Sequence, residues 1–500
     1  MKEYQYMKKC QICLSVIEST IEKNISRIKE YKDAIDLVEL RADYLKEEEI
    51  AHIVRFPARA GIPVILTIRR KVDGGMFSDE EAQRIRIMKN AIDGNFSYID
   101  LEDDLGSTGI EEKMEASGGR IIRSFHDFNR VPEKLTEKMR HLARSPKELP
   151  KASVMPQCTE DVYKLFTCFR QLEGVEKILL GMGTFGFPTR VLAPFLGSFL
   201  TFCSVPDRLA ASGHIDPLTI TRLYRFRHIS RETAIFGIIG NPVMHTFSPN
   251  IHNRGFSATG FDAVYVPFHV DRVEPFMNLA RFLRIKGFSV TIPHKEQIIK
   301  HLTEKDRSVE ATGACNTVIR GDNGYYGVNT DTTGFIESLK RALKDVSLQG
   351  KKATVIGAGG AAKAVIYSLL REGVDVLILN RTEERAKRLA ETFHCTWAGL
   401  TDEGMKQIDA FSDIIVQTTS VGMEPETSAN PIPDYIFKGH EVVFDIVYNP
   451  PITVLLKKAQ QAGCRIIQGK EMLLGQAFAQ FRLFTGREYP DQEGLRKEFQ

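Results

Sequence analysis

The chain reads as an α/β protein in two parts. A barrel of parallel strands and alternating helices fills residues 1–228, and a second α/β part, built of two further domains, follows it. Three observations predict this. Short apolar, β-branched runs alternate with helical patterns through 1–228. The pattern restarts near residue 230, at RETAIFGIIGNPVMH (231–245). Finally, KKATVIGAGGAAKAVIYSLLREGVDVLILNRT (351–382) is a complete βαβ unit with a glycine-rich turn. A length of 500 residues also exceeds what one hydrophobic core serves.

The strand candidates of the first part are KCQICLSV (9–16), AIDLVELR (34–41), PVILTIR (63–69), SYIDLE (97–102), GRIIRSFH (119–126), PKASVMP (150–156), EKILLGMG (176–183) and GSFLTFCSV (197–205). Helical patterns such as DEEAQRIRIMKNAID (79–93) and TEDVYKLFTCFRQLEG (159–174) lie between them. This alternation predicts a (β/α)8 TIM barrel. Glu39, Arg41, Arg69, Asp73, His126 and Arg190 fall late in strands or just after them, where such barrels carry their chemistry. A second α/β segment runs from residue 230 to about 335, and a polar helix, FIESLKRALKDVS, then leads into the βαβ unit. The expected domains are a barrel at 1–228, a substrate-binding domain at 229–337, a Rossmann domain at 338–470, and helices at 471–500 that return to the substrate domain.

Composition narrows the function classes. With 43% hydrophobic and 26% charged residues, the chain resembles an ordinary soluble protein. A net charge of +3 advertises neither nucleic acid nor an anionic membrane as a partner, although local anion pockets are compatible with it. No apolar run approaches the ~18 residues of a membrane span. The start, MKEYQYMKKC, lacks a signal-peptide core and transit-peptide character. The expectation is a cytoplasmic protein with small-molecule substrates, no nucleic acid and no membrane, its oligomeric state open. Eight cysteines are too sparse for a disulfide scaffold. Cys10 and Cys13 have CxxC spacing, but no second CxxC or His pair accompanies them. They read as buried thiols, and no metal is expected.

Lys151, inside the apolar run LPKASVMPQ, needs a reason, because an unpaired buried ammonium is costly. Pointing into a barrel, it suits Schiff-base formation with a ketone. Taken alone it also reads as a surface lysine at a strand start. His126, in SFHDF, suits general acid or base work near neutral pH. Arg41, Arg69 and Arg190 suit bidentate binding of a carboxylate. An amine, an imidazole and an anion pocket together fit a keto-acid substrate.

The ordered segments VELRAD, TIRRKVDGG, SFHDF, PKASVMPQ and GMGTFGFPTR resemble the type I 3-dehydroquinate dehydratases across most of 1–228. That resemblance implies that Lys151 forms the imine, that His126 moves the proton at C2 and assists imine formation and hydrolysis, and that Arg190 holds the substrate carboxylate. Ser15, Glu39, Arg41 and Arg69 are then substrate-binding or orienting residues. The chain departs from the family pattern at Asp73 and in the lid motif. Asp73 stands where the family has the glutamate that pairs with the catalytic histidine. The lid motif SAPGQ reads AASGH, with Ala210 at the serine and His214 at the glutamine position. His214 keeps a hydrogen-bond donor for substrate, and the expectation is retained activity with a raised Michaelis constant.

In the second part, GAGGAA (357–362) follows the strand KATVI and opens a helix. Gly357 serves the tight turn, Gly359 lets the backbone approach a pyrophosphate, and Ala362 permits close helix packing, with Ala358, Gly360 and Ala361 completing the loop. The next strand ends in Asn380-Arg381-Thr382 rather than an acidic residue, and Arg381, Thr382 and Arg385 suit a 2′-phosphate, which argues for NADP(H). Lys295 and Asp331 are candidates for a coupled acid/base pair at a hydride-transfer centre. The ordered set GNPVMHTFSPNIHN, VTIPHKE, ACNTVI, NTDTTGF, GAGGAA, NRTEERA, TTSVGM, DIVYNP and KEMLLGQAFAQF resembles the shikimate dehydrogenases over roughly 233–490. It implies that Lys295 and Asp331 handle the proton at the reacting oxygen. Ser248, Thr291, Asn316 and Gln476 would hold substrate, with Tyr448 in reach. Thr418, Thr419 and Gly469 would lie along the nicotinamide. Thr246 replaces a serine of the family's HSxS motif and keeps the hydroxyl.

Together the resemblances imply a fused shikimate-pathway enzyme of aromatic amino acid and chorismate biosynthesis, a lyase followed by an oxidoreductase. The first product is the second substrate, though direct channelling does not follow from fusion. Two alternatives stay open: an NAD-linked quinate/shikimate dehydrogenase joined to the dehydratase, and a non-catalytic ligand sensor on the same folds.

Overall fold

In the computed structural model, residues 9–208, 210, 213–344 and 346–498 are described. The eight predicted strands of the first part all form: β1 (Gln11–Val16), β2 (Leu37–Arg41), β3 (Val64–Thr67), β4 (Tyr98–Glu102), β5 (Arg120–Asp127), β6 (Leu149–Val154), β7 (Ile178–Gly181) and β8 (Leu200–Cys203). They make one sheet in the order β7-β6-β5-β4-β3-β2-β1-β8. Each recorded pairing is parallel. The Phe199 N–H donates to Lys177 O at 2.7 Å just before β8, joining the two ends of the sheet. The result is a (β/α)8 barrel.

The period-two alternation of the strands decides what faces inward. Cys13, Leu37, Ile65, Tyr98, Ile122, Leu149, Ile178 and Leu200 pack together as an apolar plug. Two residues further along each strand stand Ser15, Glu39, Thr67, Asp100, Ser124, Lys151, Leu180 and Phe202. The polar chemistry therefore begins one layer above the plug, toward the strands' C-terminal ends, as layered barrel packing requires. The opposite parity packs outward: Ala152, Val154 and Leu179 meet Leu165, Phe169 and Leu172 from the Thr159–Gln171 helix and the turn beyond it. Full burial of one such side chain contributes ~1.5–3 kcal/mol. Cys10 and Cys13 are both buried, and burial pushes both thiols up.

Packing divides the chain into two compact units. One comprises Met1–Arg254 with Asp262–Ile285, the other Gly255–Phe261 with Lys286–Gln500. In the first, β9 (Ala234–Gly240) and β10 (Ala263–His269) pair in parallel. This pair and the Val273–Phe282 helix stay with the barrel for identifiable reasons. Asp271 accepts hydrogen bonds from Thr159 N at 2.9 Å and Thr159 Oγ1 at 2.5 Å. The Phe282 ring meets Tyr163 edge-on and lies under the Arg170 guanidinium, and Phe185 meets His269 edge-on. The Thr159–Gln171 helix has Cys158 at its N-cap position without a side-chain cap bond, so Asp271 performs that service from outside the barrel.

In the second unit, β11 (Gly287–Val290), β12 (Glu304–Lys305), β13 (Thr317–Gly321) and β14 (Gly324–Val328) form a ladder in which β13 runs antiparallel to both β11 and β14. A parallel sheet follows: β15 (Lys352–Ile356), β16 (Asp375–Asn380), β17 (Thr396–Gly399), β18 (Ile414–Gln417), β19 (Val442–Asp445) and β20 (Arg465–Ile467), in the order β17-β16-β15-β18-β19-β20. This is the doubly wound Rossmann order, with its switch point between β15 and β18. The Gly469–Thr485 helix then runs back: Gln480 bonds Ser289 of β11 at 2.8 Å and Thr317 of β13 at 3.0 Å. No helix among the described residues is long and apolar enough to cross a membrane.

Candidate active sites

Barrel closure draws acids and bases from distant strands into one buried network. The Lys151 ammonium donates to Asp100 Oδ2 at 2.8 Å and stands 3.9 Å from Glu39 Oε1. Its Nζ also lies 4.4 Å from the centre of the Phe202 ring. Arg69 donates to Asp100 Oδ1 at 2.7 Å, and to Glu102 and Ser124, each at 3.0 Å. Glu39 is held in turn by Ser15 at 2.6 Å and Thr67 at 2.8 Å. Burial works to raise the Asp100 carboxyl, but the charges of Arg69 and Lys151 outweigh it and hold that group well below the usual carboxylate range. Arg41 sits nearer the rim, bonded twice by Asp43 at 3.0 and 2.8 Å.

His126 is the neutral partner of this ionic site. Burial first, then the positive charges of Arg69 and Lys151, pull its imidazole well below its ordinary value. Its Nδ1 is buried with no hydrogen-bond partner among the described residues. Asp73, expected to orient it, does not: its carboxylate accepts from Arg70 Nε at 2.6 Å, and Arg70 also pairs with Asp104 at 2.7 Å. The short Asp73 side chain is captured by the guanidinium three residues earlier. Arg190 is buried in the Gly183–Val191 helix, and desolvation pulls its pKa down to about 10. His214 lies near the same cations, stacked on Phe202 with ring centres 6.4 Å apart. Asp100, Glu102 and Ser124 were not anticipated. The signal for the two acids was their spacing two residues apart in YIDLE, on the inward face of β4, and Ser124 follows from the same parity on β5.

In the first unit Thr246 donates its hydroxyl to Ser248 Oγ at 3.1 Å, at the start of the Ser248–Thr259 helix. In the second unit, Lys295 Nζ donates to Asp331 Oδ2 at 2.6 Å and Asn316 Nδ2 donates to Asp331 Oδ1 at 2.8 Å. Asn316 Oδ1 accepts from Thr330 N at 2.7 Å, fixing the amide against the Thr330–Leu343 helix that carries Asp331. Gly334 of that helix approaches Gln476: a Cβ there would lie 2.5 Å from Gln476 N, so the two helices meet at van der Waals distance only because the residue is glycine. Thr291 follows β11 directly, and Tyr448 is 46% exposed.

The glycine-rich loop follows β15. Gly357 adopts φ +116°, and a Cβ there would lie 2.5 Å from Thr418 Oγ1. That hydroxyl is committed to Ile356 O at 2.7 Å. A Cβ on Gly359 or Gly360 would enter open space above the start of the Gly360–Arg371 helix, which a pyrophosphate can fill. Ala358 and Ala361 flank these glycines, and Thr419 bonds Gln417 at the edge of the switch point. Asn380 ends β16 with its amide turned onto Thr382 O at 2.9 Å, while Arg381 and Arg385 stand exposed. Gly469 packs against Ile446 O, where a Cβ would lie at 2.3 Å. These residues fit a dinucleotide.

Such a chain belongs to the class of two-site enzymes in which an imine-forming lyase barrel precedes a nicotinamide-dependent dehydrogenase. Family models agree segment by segment: Type I 3-dehydroquinase matches residues 12–231, the shikimate dehydrogenase substrate binding domain 238–318, Shikimate / quinate 5-dehydrogenase 338–448, and the Shikimate 5′-dehydrogenase C-terminal domain 469–497. A relative from Arabidopsis thaliana, the chloroplastic bifunctional 3-dehydroquinate dehydratase/shikimate dehydrogenase, is 33% identical over 96% of this chain and 82% of its own. The chain belongs to the family of fused type I 3-dehydroquinate dehydratase/shikimate dehydrogenases. Its second half is also 41% identical to the shikimate dehydrogenase (NADP(+)) of Caldanaerobacter subterraneus subsp. tengcongensis, over 52% of this chain and 94% of that one. The crystal structure of Listeria monocytogenes shikimate 5-dehydrogenase, in complex with shikimate and NAD, matches 54% of this chain and 98% of its own at 31% identity, with a TM-score of 0.51.

Proposed function

We propose that the barrel dehydrates 3-dehydroquinate through an imine on Lys151, and that the Lys295–Asp331 site then serves the reduction of 3-dehydroshikimate to shikimate. One observation carries the first step: a lysine ammonium buried above the apolar plug and bonded to Asp100, whose other oxygen Arg69 holds. Lys151 loses a proton and attacks the ketone carbon, and the carbonyl oxygen leaves as water. The iminium withdraws electrons from the adjacent carbon. His126, kept neutral by burial and by Arg69 and Lys151, takes the C2 proton. The electron pair forms the C=C bond as the neighbouring hydroxyl takes that proton from His126 and departs as water, and a further water hydrolyses the imine and frees the Lys151 amine. Asp100 and Glu39 bracket the charge on Lys151, and Arg190 receives the substrate carboxylate.

In the second site NADPH, when bound, supplies the hydride. Lys295 and Asp331 hold the proton that the reacting oxygen acquires, and Asn316 fixes Asp331 by its second oxygen. The glycine loop would hold the pyrophosphate. The exposed Arg381 and Arg385, with no carboxylate at the end of β16, support NADP over NAD. Borohydride added with dehydroquinate tests the imine: a stable adduct on Lys151, located by peptide mass, is the expected result. Folded protein that leaves Lys151 unmodified contradicts it.

A further inference from the structure

The lid histidine does not stand alone. Ser204 follows β8 on the inward parity of Leu200 and Phe202, and is fully buried. Its hydroxyl contacts His214 Nδ1 in a short hydrogen bond, and it accepts the Ala210 N–H at 3.0 Å. The backbone holds the pair in place: Ser204 N–H donates to Ile215 O at 3.1 Å, and Ile215 bridges Cys203. The imidazole stacks on Phe202, whose ring also carries Lys151 Nζ.

Proton counting then fixes the ring. Ser204 Oγ receives one hydrogen from Ala210 and owns one of its own, and Nδ1 of His214 is the acceptor within reach of that second hydrogen. A proton on Nδ1 would strand the buried Ser204 hydroxyl hydrogen without an acceptor. The other groups bearing on this ring are the cations Arg190, Lys151 and Arg41, which, after burial itself, oppose a second proton. The imidazole makes no other hydrogen bond among the described residues, so Nε2 carries the hydrogen and remains the available donor.

We propose that Ser204 is a positioning residue of the dehydratase: it locks His214 as the neutral Nε2–H tautomer, so that an uncharged, rotationally fixed donor meets an oxygen acceptor of the substrate beside Lys151 and Arg190. The pair is a matched set, in which the hydroxyl just after β8 makes a histidine serviceable where the family's lid carries glutamine. This rests on the dehydratase reading of the barrel.

The test uses the full chain with 15N-labelled histidine, and His214 is assigned by its loss in His214→Gln. Long-range 1H–15N correlation at neutral pH is expected to show His214 protonated on Nε2 and bare on Nδ1, and Ser204→Ala is expected to mix the tautomers. In kinetics, Ser204→Ala is expected to raise the dehydroquinate KM about three- to tenfold with kcat retained, the scale of one neutral hydrogen bond. Placed in the His214→Gln background it is expected to change nothing further, because glutamine needs no tautomer lock. A hydrogen on Nδ1 in the parent chain, or an equal Ser204→Ala effect in both backgrounds, overturns the proposal. The tautomer is read without substrate, so its failure is distinct from failure of the dehydratase reading, which dehydration by Lys151→Ala would reveal.

Discussion

At the scale of single residues, burial and charge assign opposite tasks to neighbouring groups. His126 is held neutral and Asp100 ionised within one network: burial and the cations Arg69 and Lys151 act together on the imidazole, whereas on the carboxylate the same cations outweigh burial. The sign of the pH dependence follows. The unfolded chain protonates His126 near its ordinary ~6.5, while the folded chain resists. Stability from this group is present above that value and is lost as pH falls toward the depressed folded one. His214 has the same sign. Thermal melting should fall between roughly pH 7 and pH 5, and the fall should be shallower in the His126→Phe, His214→Gln double variant; an unchanged slope would contradict the assignment. Arg190→Met should weaken dehydroquinate binding and raise its KM, which steady-state kinetics check. At the nucleotide end, Arg381→Asp should lower kcat/KM for NADPH by about tenfold or more, the worth of one charge-assisted hydrogen bond, with NADH far less affected.

At the scale of elements, the strands were legible because their period-two runs are local. The apolar plug and the polar layer above it follow from parity once a barrel is recognised. The partnerships were not legible, because they depend on closure. Lys151 of β6 finds Asp100 of β4, and Arg69 beyond β3 finds Glu102 of β4, across many intervening residues. Asp73 shows the limit from the other side: a family position implied His126, but an arginine three residues away claimed the shorter carboxylate. The Asp271 cap was equally invisible, since donor and acceptor lie 112 residues apart. Asp271→Ala should destabilise the chain by about 1 kcal/mol, the usual worth of an N-cap, read as a shift in the urea midpoint; no shift would mean that solvent caps the helix as well.

At the scale of the whole molecule, two active sites belong to one chain, and the product of one is the substrate of the other. Packing counts β9, β10 and the Val273–Phe282 helix with the barrel. Sequence could not show this, because Phe282, His269 and Asp271 carry no mark of what they will touch. The consecutive chemistry was legible from two ordered series of motifs. A coupled assay tests it most directly: dehydroquinate and NADPH are supplied together, and absorbance loss and shikimate are followed. The parent chain should oxidise NADPH and release shikimate. Lys151→Ala should do neither with dehydroquinate, yet reduce added 3-dehydroshikimate at the parent rate. NADPH oxidation by Lys151→Ala on dehydroquinate alone would contradict the account.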